Sequence, residues 1–99
     1  MRFDTAPGGE IQRQRPAIIV SNDLSNKHLN RVQVVPLTSR KHKLYPSEAY
    51  ATVKRKSHKA MADQLTTVSK HRLVNYTDRI TEEEMREVER VIKVQLALD

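Results

Sequence analysis

The stretch "TEEEMREVERVIKVQLAL", Thr81–Leu98, fixes one half of the architecture. Thr81 stands three residues before Glu84, the spacing of a capping box in which each side chain satisfies a free backbone N–H at a helix start. Met85, Val88, Ile92 and Leu96 then recur every three or four residues, which puts them on one helical face. Glu82, Glu83 and Glu84 fall in the first turn, where negative charge complements the helix dipole. The spacing predicts an amphipathic helix from Glu82 to about Leu98, with the Met85/Val88/Ile92/Leu96 stripe in the core.

The surface that this stripe needs must come from upstream. "PAIIVSN" (Pro16–Asn22) is a short apolar run that suits a strand buried on both faces. "RVQVVPLTS" (Arg31–Ser39) is rich in β-branched residues, and Pro36 within it points to an edge, a bulge or a strand end, because proline cannot donate to the ladder. "YPSEAYATV" (Tyr45–Val53) fits a strand with one wet face, and "AMADQLTTV" (Ala60–Val68) a weaker one. Strands followed by a helix argue for an α+β domain or a small barrel rather than an alternating parallel fold. Two basic stretches separate the strands, "RKHK" (Arg40–Lys43) and "KRKSHK" (Lys54–Lys59). Both read as loops, and without glycine neither is expected to make a tight two-residue turn.

The chain has 99 residues, 37% of them apolar, which supports one domain (1–99) with a small core. Burial between two copies would help such a core. No cysteine is present, so a disulfide framework and a thiolate zinc site are excluded. No apolar run approaches the roughly 20 residues that span a bilayer, and the start lacks a signal-peptide core, so the expectation is a soluble, cytoplasmic protein without a membrane partner. The net charge is +6, unevenly distributed: residues 81–99 carry six acids against three bases, which leaves +9 on residues 1–80. A field of that sign attracts polyanions.

The remaining chemistry is sparse. His28, His42, His58 and His71 show no metal-pair spacing; their spacing leaves a paired-histidine ribonuclease site open, and isolated histidines in basic loops otherwise read as solvent-exposed side chains. Asp23, Asp63 and Asp78 are scattered, so neither a metal cluster nor a cofactor is expected. Phosphate-binding glycine loops and nucleophile elbows are missing. The four aromatics, Phe3, Tyr45, Tyr50 and Tyr76, make a thin stacking platform. "GGEIQRQRPAIIVSND" (Gly8–Asp23) is more specific. Its Arg-Pro pair restricts the backbone on both sides, so Arg15 presents a fixed positive charge at a strand mouth.

In order and spacing, "GGEIQRQRPAIIVSND", "VVPLTS", "YPSEA", "ADQLTTVSKHRL" and the capped helix resemble the MazF/PemK toxins of bacterial toxin–antitoxin pairs, from Asp4 to Leu98. The resemblance implies a small, strongly curved antiparallel β-barrel of the SH3-like CcdB/PemK type with a C-terminal helix. It also implies a homodimer, metal-free cleavage of single-stranded RNA at preferred sequences, and inhibition by an acidic antitoxin. Family members begin with a further strand, and this chain enters only its end at "MRFDTAP".

Carried over by position, the family's site falls on Glu10, Arg15 and Thr38. Metal-free cleavage needs a group to accept or guide the 2′-OH proton, and fixed donors for charge growing on the phosphoryl oxygens. Arg15 suits the second task through its permanent charge and planar fork, and Thr38 can donate from a neighbouring strand. Glu10 accepts a proton or holds Arg15; the residue acting as base stays open. Ser39 and Gln64 match positions that meet RNA, and Arg13, Lys41 and Lys43 add positive charge for its backbone. Relatives often carry an arginine after the Asp-Gln pair. This chain has Leu65 and Thr66 there, so Lys41, Lys43 or Lys59 is expected to replace a phosphate contact. Two other readings compete: a CcdB-like gyrase poison, against which the Glu10, Arg15 and Thr38 set argues, and a non-catalytic RNA- or antitoxin-binding remnant.

Overall fold

A computed structural model describes residues 2–4, 14–74 and 79–98. Its strands are β1 (Arg2–Asp4), β2 (Gln14–Ile19), β3 (Arg31–Thr38), β4 (Glu48–Val53), β5 (Lys56–Met61) and β6 (Thr66–Ser69). Helix α1 (Asp23–His28) joins β2 to β3, and α2 (Glu82–Leu96) follows the sheet. All pairings are antiparallel, in the order β1-β2-β3-β5-β4 with β6 also on β3. The barrel expected from the sequence is a strongly bent sheet that does not close on itself among the described residues. The start of the chain does pair: Arg2, Phe3 and Asp4 face Pro16, Arg15 and Gln14.

The central strand explains the bend. One edge of β3 carries β2, with Ile19 opposite Val34, and the other edge carries β6 and then β5. Along this second edge the pairing jumps from Leu37↔Ala60 to Val34↔Thr66, so residues 61–65 stand against only residues 35–36. The surplus is taken up by a 3₁₀ turn, Ala62–Gln64, which acts as an enlarged bulge. The Ala62 N–H turns away to the Ser47 carbonyl at 3.0 Å. Pro36 lies opposite this turn, where the ladder is already interrupted. Proline therefore sits within a central strand, not on the sheet's edge. "AMADQLTTV" is likewise two strands and a turn rather than one strand.

The burial pattern of β3 shows why the sheet is a core on both sides. Val32 and Val34 join Ala17 and Val68 on one face, while Val35 and Leu37 join Ile18 on the other. This second face receives α2. Ala49, Ala51, Ala60 and Ala62 present a shallow surface on which Val88 and Val91 become fully buried. Burying each valine stabilises the fold by about 1.5–3 kcal/mol. The helical stripe is therefore Met85, Val88, Val91 and Ile92, and Leu96 is half exposed, beyond the reach of the alanine surface.

The capping box forms as the spacing requires, with Glu84 N–H on Thr81 Oγ1 at 3.1 Å and Thr81 N–H on Glu84 Oε1 at 3.3 Å. The other oxygen of Glu84 accepts the Thr52 N–H at 2.9 Å, tying the helix start to the edge strand β4. Ala97 ends α2 in the left-handed conformation.

Two local features depart from the sequence reading. "KRKSHK" is not a loop: Lys56–Lys59 belong to β5, and Lys54 and Arg55 form a two-residue turn with φ of 50° and 64°. Both residues take the positive φ that a type I′ hairpin demands, without the glycine that usually supplies it. The second feature is α1, which buries no residue and so leaves no apolar period in the sequence. Its start is set by Asn22, whose side chain accepts the Ser25 N–H at 2.8 Å. Asn26 holds the helix to Ser21, and Ser21 Oγ accepts the Gln33 N–H at 3.1 Å.

Candidate nucleic-acid interface

Register brings the site together. Ala17 faces Pro36, and continuing that pairing by two residues sets Arg15 opposite Thr38. Thr38 faces Lys59, and Lys59 faces Tyr50. Residues opposite one another in a ladder share a face, so Arg15, Thr38, Lys59 and Tyr50 form one row across β2, β3, β5 and β4. Arg15 and Thr38 line a cleft of about 680 Å³ together with Ser39 and Gln64. Gln64 reaches it because the 3₁₀ bulge turns residues 62–64 out of the ladder. The structure thus gathers four of the residues singled out from sequence.

Thr38 is oriented by the loop that leaves β3. Its Oγ1 accepts the Arg40 N–H at 3.2 Å, so the hydroxyl proton remains free to donate elsewhere. Arg15 is exposed and its guanidinium is a permanent cation. An adjoining cleft of about 540 Å³ shares Thr38, Ser39, Arg40, His42 and His58 with the first, and adds Lys41, Lys56 and Tyr50. Together the two make one groove with cations along its length. Lys43 is exposed on the same loop but lines neither cleft. Glu10 and Arg13 lie outside the described residues.

Lys59 also lines the second cleft. It is buried, and its Nζ donates to the backbone carbonyl of His42. Burying an ammonium is costly unless partners replace its water. Here the charge fastens the 39–47 loop onto the sheet.

The sequence reading also missed a pair beside it. Glu48, 5% exposed at the start of β4, accepts the Tyr45 N–H at 3.0 Å and lies 3.2 Å from Nε2 of His42. The His42 ring also stacks at a tilt on Tyr45, with centroids 5.4 Å apart. His42 is therefore held in the groove wall rather than free in a basic loop. The available signal was the carboxylate of "YPSE", placed just before an alternating strand where a wet residue was expected. Asp63 and His58, also in the cleft lining, carried no signal beyond their residue types.

Known proteins share this frame. The profile of PemK-like, MazF-like toxins of type II toxin–antitoxin systems matches residues 1–96. The endoribonuclease MazF9 of Mycobacterium tuberculosis (strain H37Rv) is 34% identical over 105 residues, which cover 97% of this chain and 89% of that protein. A mycobacterial endoribonuclease solved with its cognate antitoxin superposes with a TM-score of 0.82 at 23% identity, covering 99% of this chain and 92% of the other. The Mycobacterium tuberculosis toxin MazF-mt6 does so with a TM-score of 0.81 at 16% identity, covering 99% and 96%. With the profile spanning nearly its whole length, the chain belongs to the PemK/MazF family of toxins.

Proposed function

We propose that this chain is an endoribonuclease toxin that cuts single-stranded RNA at preferred sequences without a metal ion, and that an acidic antitoxin silences it. The observation that carries the reading is the meeting of Arg15 and Thr38, from adjacent strands, in one groove with Ser39 and Gln64.

The chemistry follows from that donor set. The 2′-OH of a ribose attacks the adjacent phosphorus, and the P–O5′ bond breaks to leave a 2′,3′-cyclic phosphate and a 5′-OH. Negative charge grows on the non-bridging oxygens as the new bond forms. Arg15 meets it with a planar, permanently charged fork, and Thr38 with a hydroxyl proton not engaged elsewhere. Removing one such donor costs on the order of 3 kcal/mol of transition-state stabilisation. Gln64 offers an amide to a base edge, and Ser39, Arg40 and Lys41 face the backbone. An acidic antitoxin segment has the charge to compete for the same groove. A homodimer would add buried area to a small core and extend the groove.

The reading is tested by incubating purified protein with a long single-stranded RNA in EDTA and mapping the cut ends. Discrete cuts leaving 5′-OH termini are expected, and Arg15→Ala should slow them about a hundredfold without unfolding the protein. An intact RNA, in a sample shown to be folded and free of antitoxin, overturns it.

A further inference from the structure

The groove wall contains a histidine–glutamate pair that the family-derived set leaves unassigned. Glu48 is buried, and its two carboxylate oxygens lie 3.3 and 3.2 Å from His42 Nε2. A carboxylate only accepts, so the hydrogen between them sits on Nε2. In the neutral ring Nδ1 then carries the lone pair. No described residue hydrogen-bonds to Nδ1, and the His42 side chain is 31% exposed on the wall shared by both clefts, beside Thr38 and Ser39. The Tyr45 ring and Glu48 hold the imidazole, and the Lys59 ammonium holds the backbone carbonyl of the same residue.

We propose that His42 is the catalytic base of the cleavage and that Glu48 is its positioning residue, an inference that rests on the ribonuclease reading. The 2′-O–H bond breaks and its proton moves to Nδ1, while the oxygen's electron pair forms the new bond to phosphorus. The P–O5′ bond breaks with its electrons on the 5′ oxygen, which takes a proton from water. The imidazolium then returns its proton to the hydroxide so formed, and no water is consumed. Imidazole is the side chain most often used for such a transfer, and a buried carboxylate behind it fixes the tautomer and stabilises the cation that forms.

The test uses single-turnover cleavage in EDTA of a DNA oligonucleotide with one ribonucleotide at the mapped cut site. His42→Gly is expected to slow cleavage by about 10²–10⁴-fold. Binding of the all-deoxy analogue should be unchanged, and added imidazole should restore the variant's rate in proportion to its concentration. His42→Gln, which keeps a donor toward Glu48, should show the same loss with binding intact, and serves if the glycine variant does not fold. Replacing the 5′ bridging oxygen by sulfur, whose thiolate leaves without a proton, should leave the deficit in place. Wild-type rates in both variants, no rescue of a folded His42→Gly, or a deficit erased by the sulfur substrate each overturn the assignment. If His42→Gly does not fold, unchanged cleavage by His42→Gln overturns it alone. A wild-type protein that cuts nothing defeats the ribonuclease reading itself, and this inference falls with it.

Discussion

In its first half the central strand is walled in, with Val32, Val34 and Val35 each 2% exposed or less, whereas its second half leaves the core after the buried Leu37 and ends at a half-buried Thr38 in the groove. The first half is flanked by β2 and β6 in a regular ladder. The second half gains β5 only after the 3₁₀ bulge has broken that ladder. Regular pairing supplies the stiffness, and the interruption supplies the opening. Their adjacency on one strand lets a rigid core hold Thr38 and, one register step away, Arg15.

That contrast can be broken from either end. The largest effect is expected at the open end: Thr38→Ala should cost on the order of 3 kcal/mol in the cleavage barrier, about a hundredfold in rate, with the urea midpoint unmoved. At the closed end, Val34→Ala should cost about 2 kcal/mol of stability in urea unfolding while the activity of folded molecules persists. A protein in which both changes alter both readings would show the two halves to be one unit. Smaller is the helix cap: Thr81→Ala should lower stability by about 1 kcal/mol in the same measurement, through the lost bond to the Glu84 N–H. Smallest, and of opposite sign, Arg55→Gly should raise stability by about 0.5 kcal/mol, since a non-glycine residue at φ 64° carries a steric penalty that glycine largely avoids.

Much of this division was legible in the sequence, but for uneven reasons. Strands β2, β3 and β4 and helix α2 announce themselves because burial on a repeating geometry leaves a period in the residue types. Helix α1 leaves none, since it packs nothing inward and depends on side-chain bonds around Asn22, Asn26 and Ser21. The Lys54–Arg55 turn was obscured because the hairpin's register, which is not local, imposes positive φ on residues that disfavour it. Val91 replaces Leu96 in the core because the alanine surface stops short of the last helical turn. In the site, Arg15, Thr38, Ser39 and Gln64 came from family strings and were brought together by strand order. His42 does not stand out among the histidines of the sequence because its partner Glu48 meets it only when the 39–47 loop folds back.

The 3₁₀ bulge also bears on the order of assembly. β4 and β5 are joined by two residues and can zip together locally, on the microsecond scale of hairpins. The groove needs Arg15, Thr38 and Gln64, which meet only after β6 has crossed the chain to β3, a closure whose entropy cost grows with the intervening length. Pulsed hydrogen exchange during refolding should therefore protect Ala51 and Ala60 before Val32 and Val68; the reverse order would show that the long-range pairing leads. On this sequence of events a growing chain on the ribosome carries its hairpin early but no groove until residues 64–69 have emerged. A toxin built this way becomes dangerous late in its own synthesis.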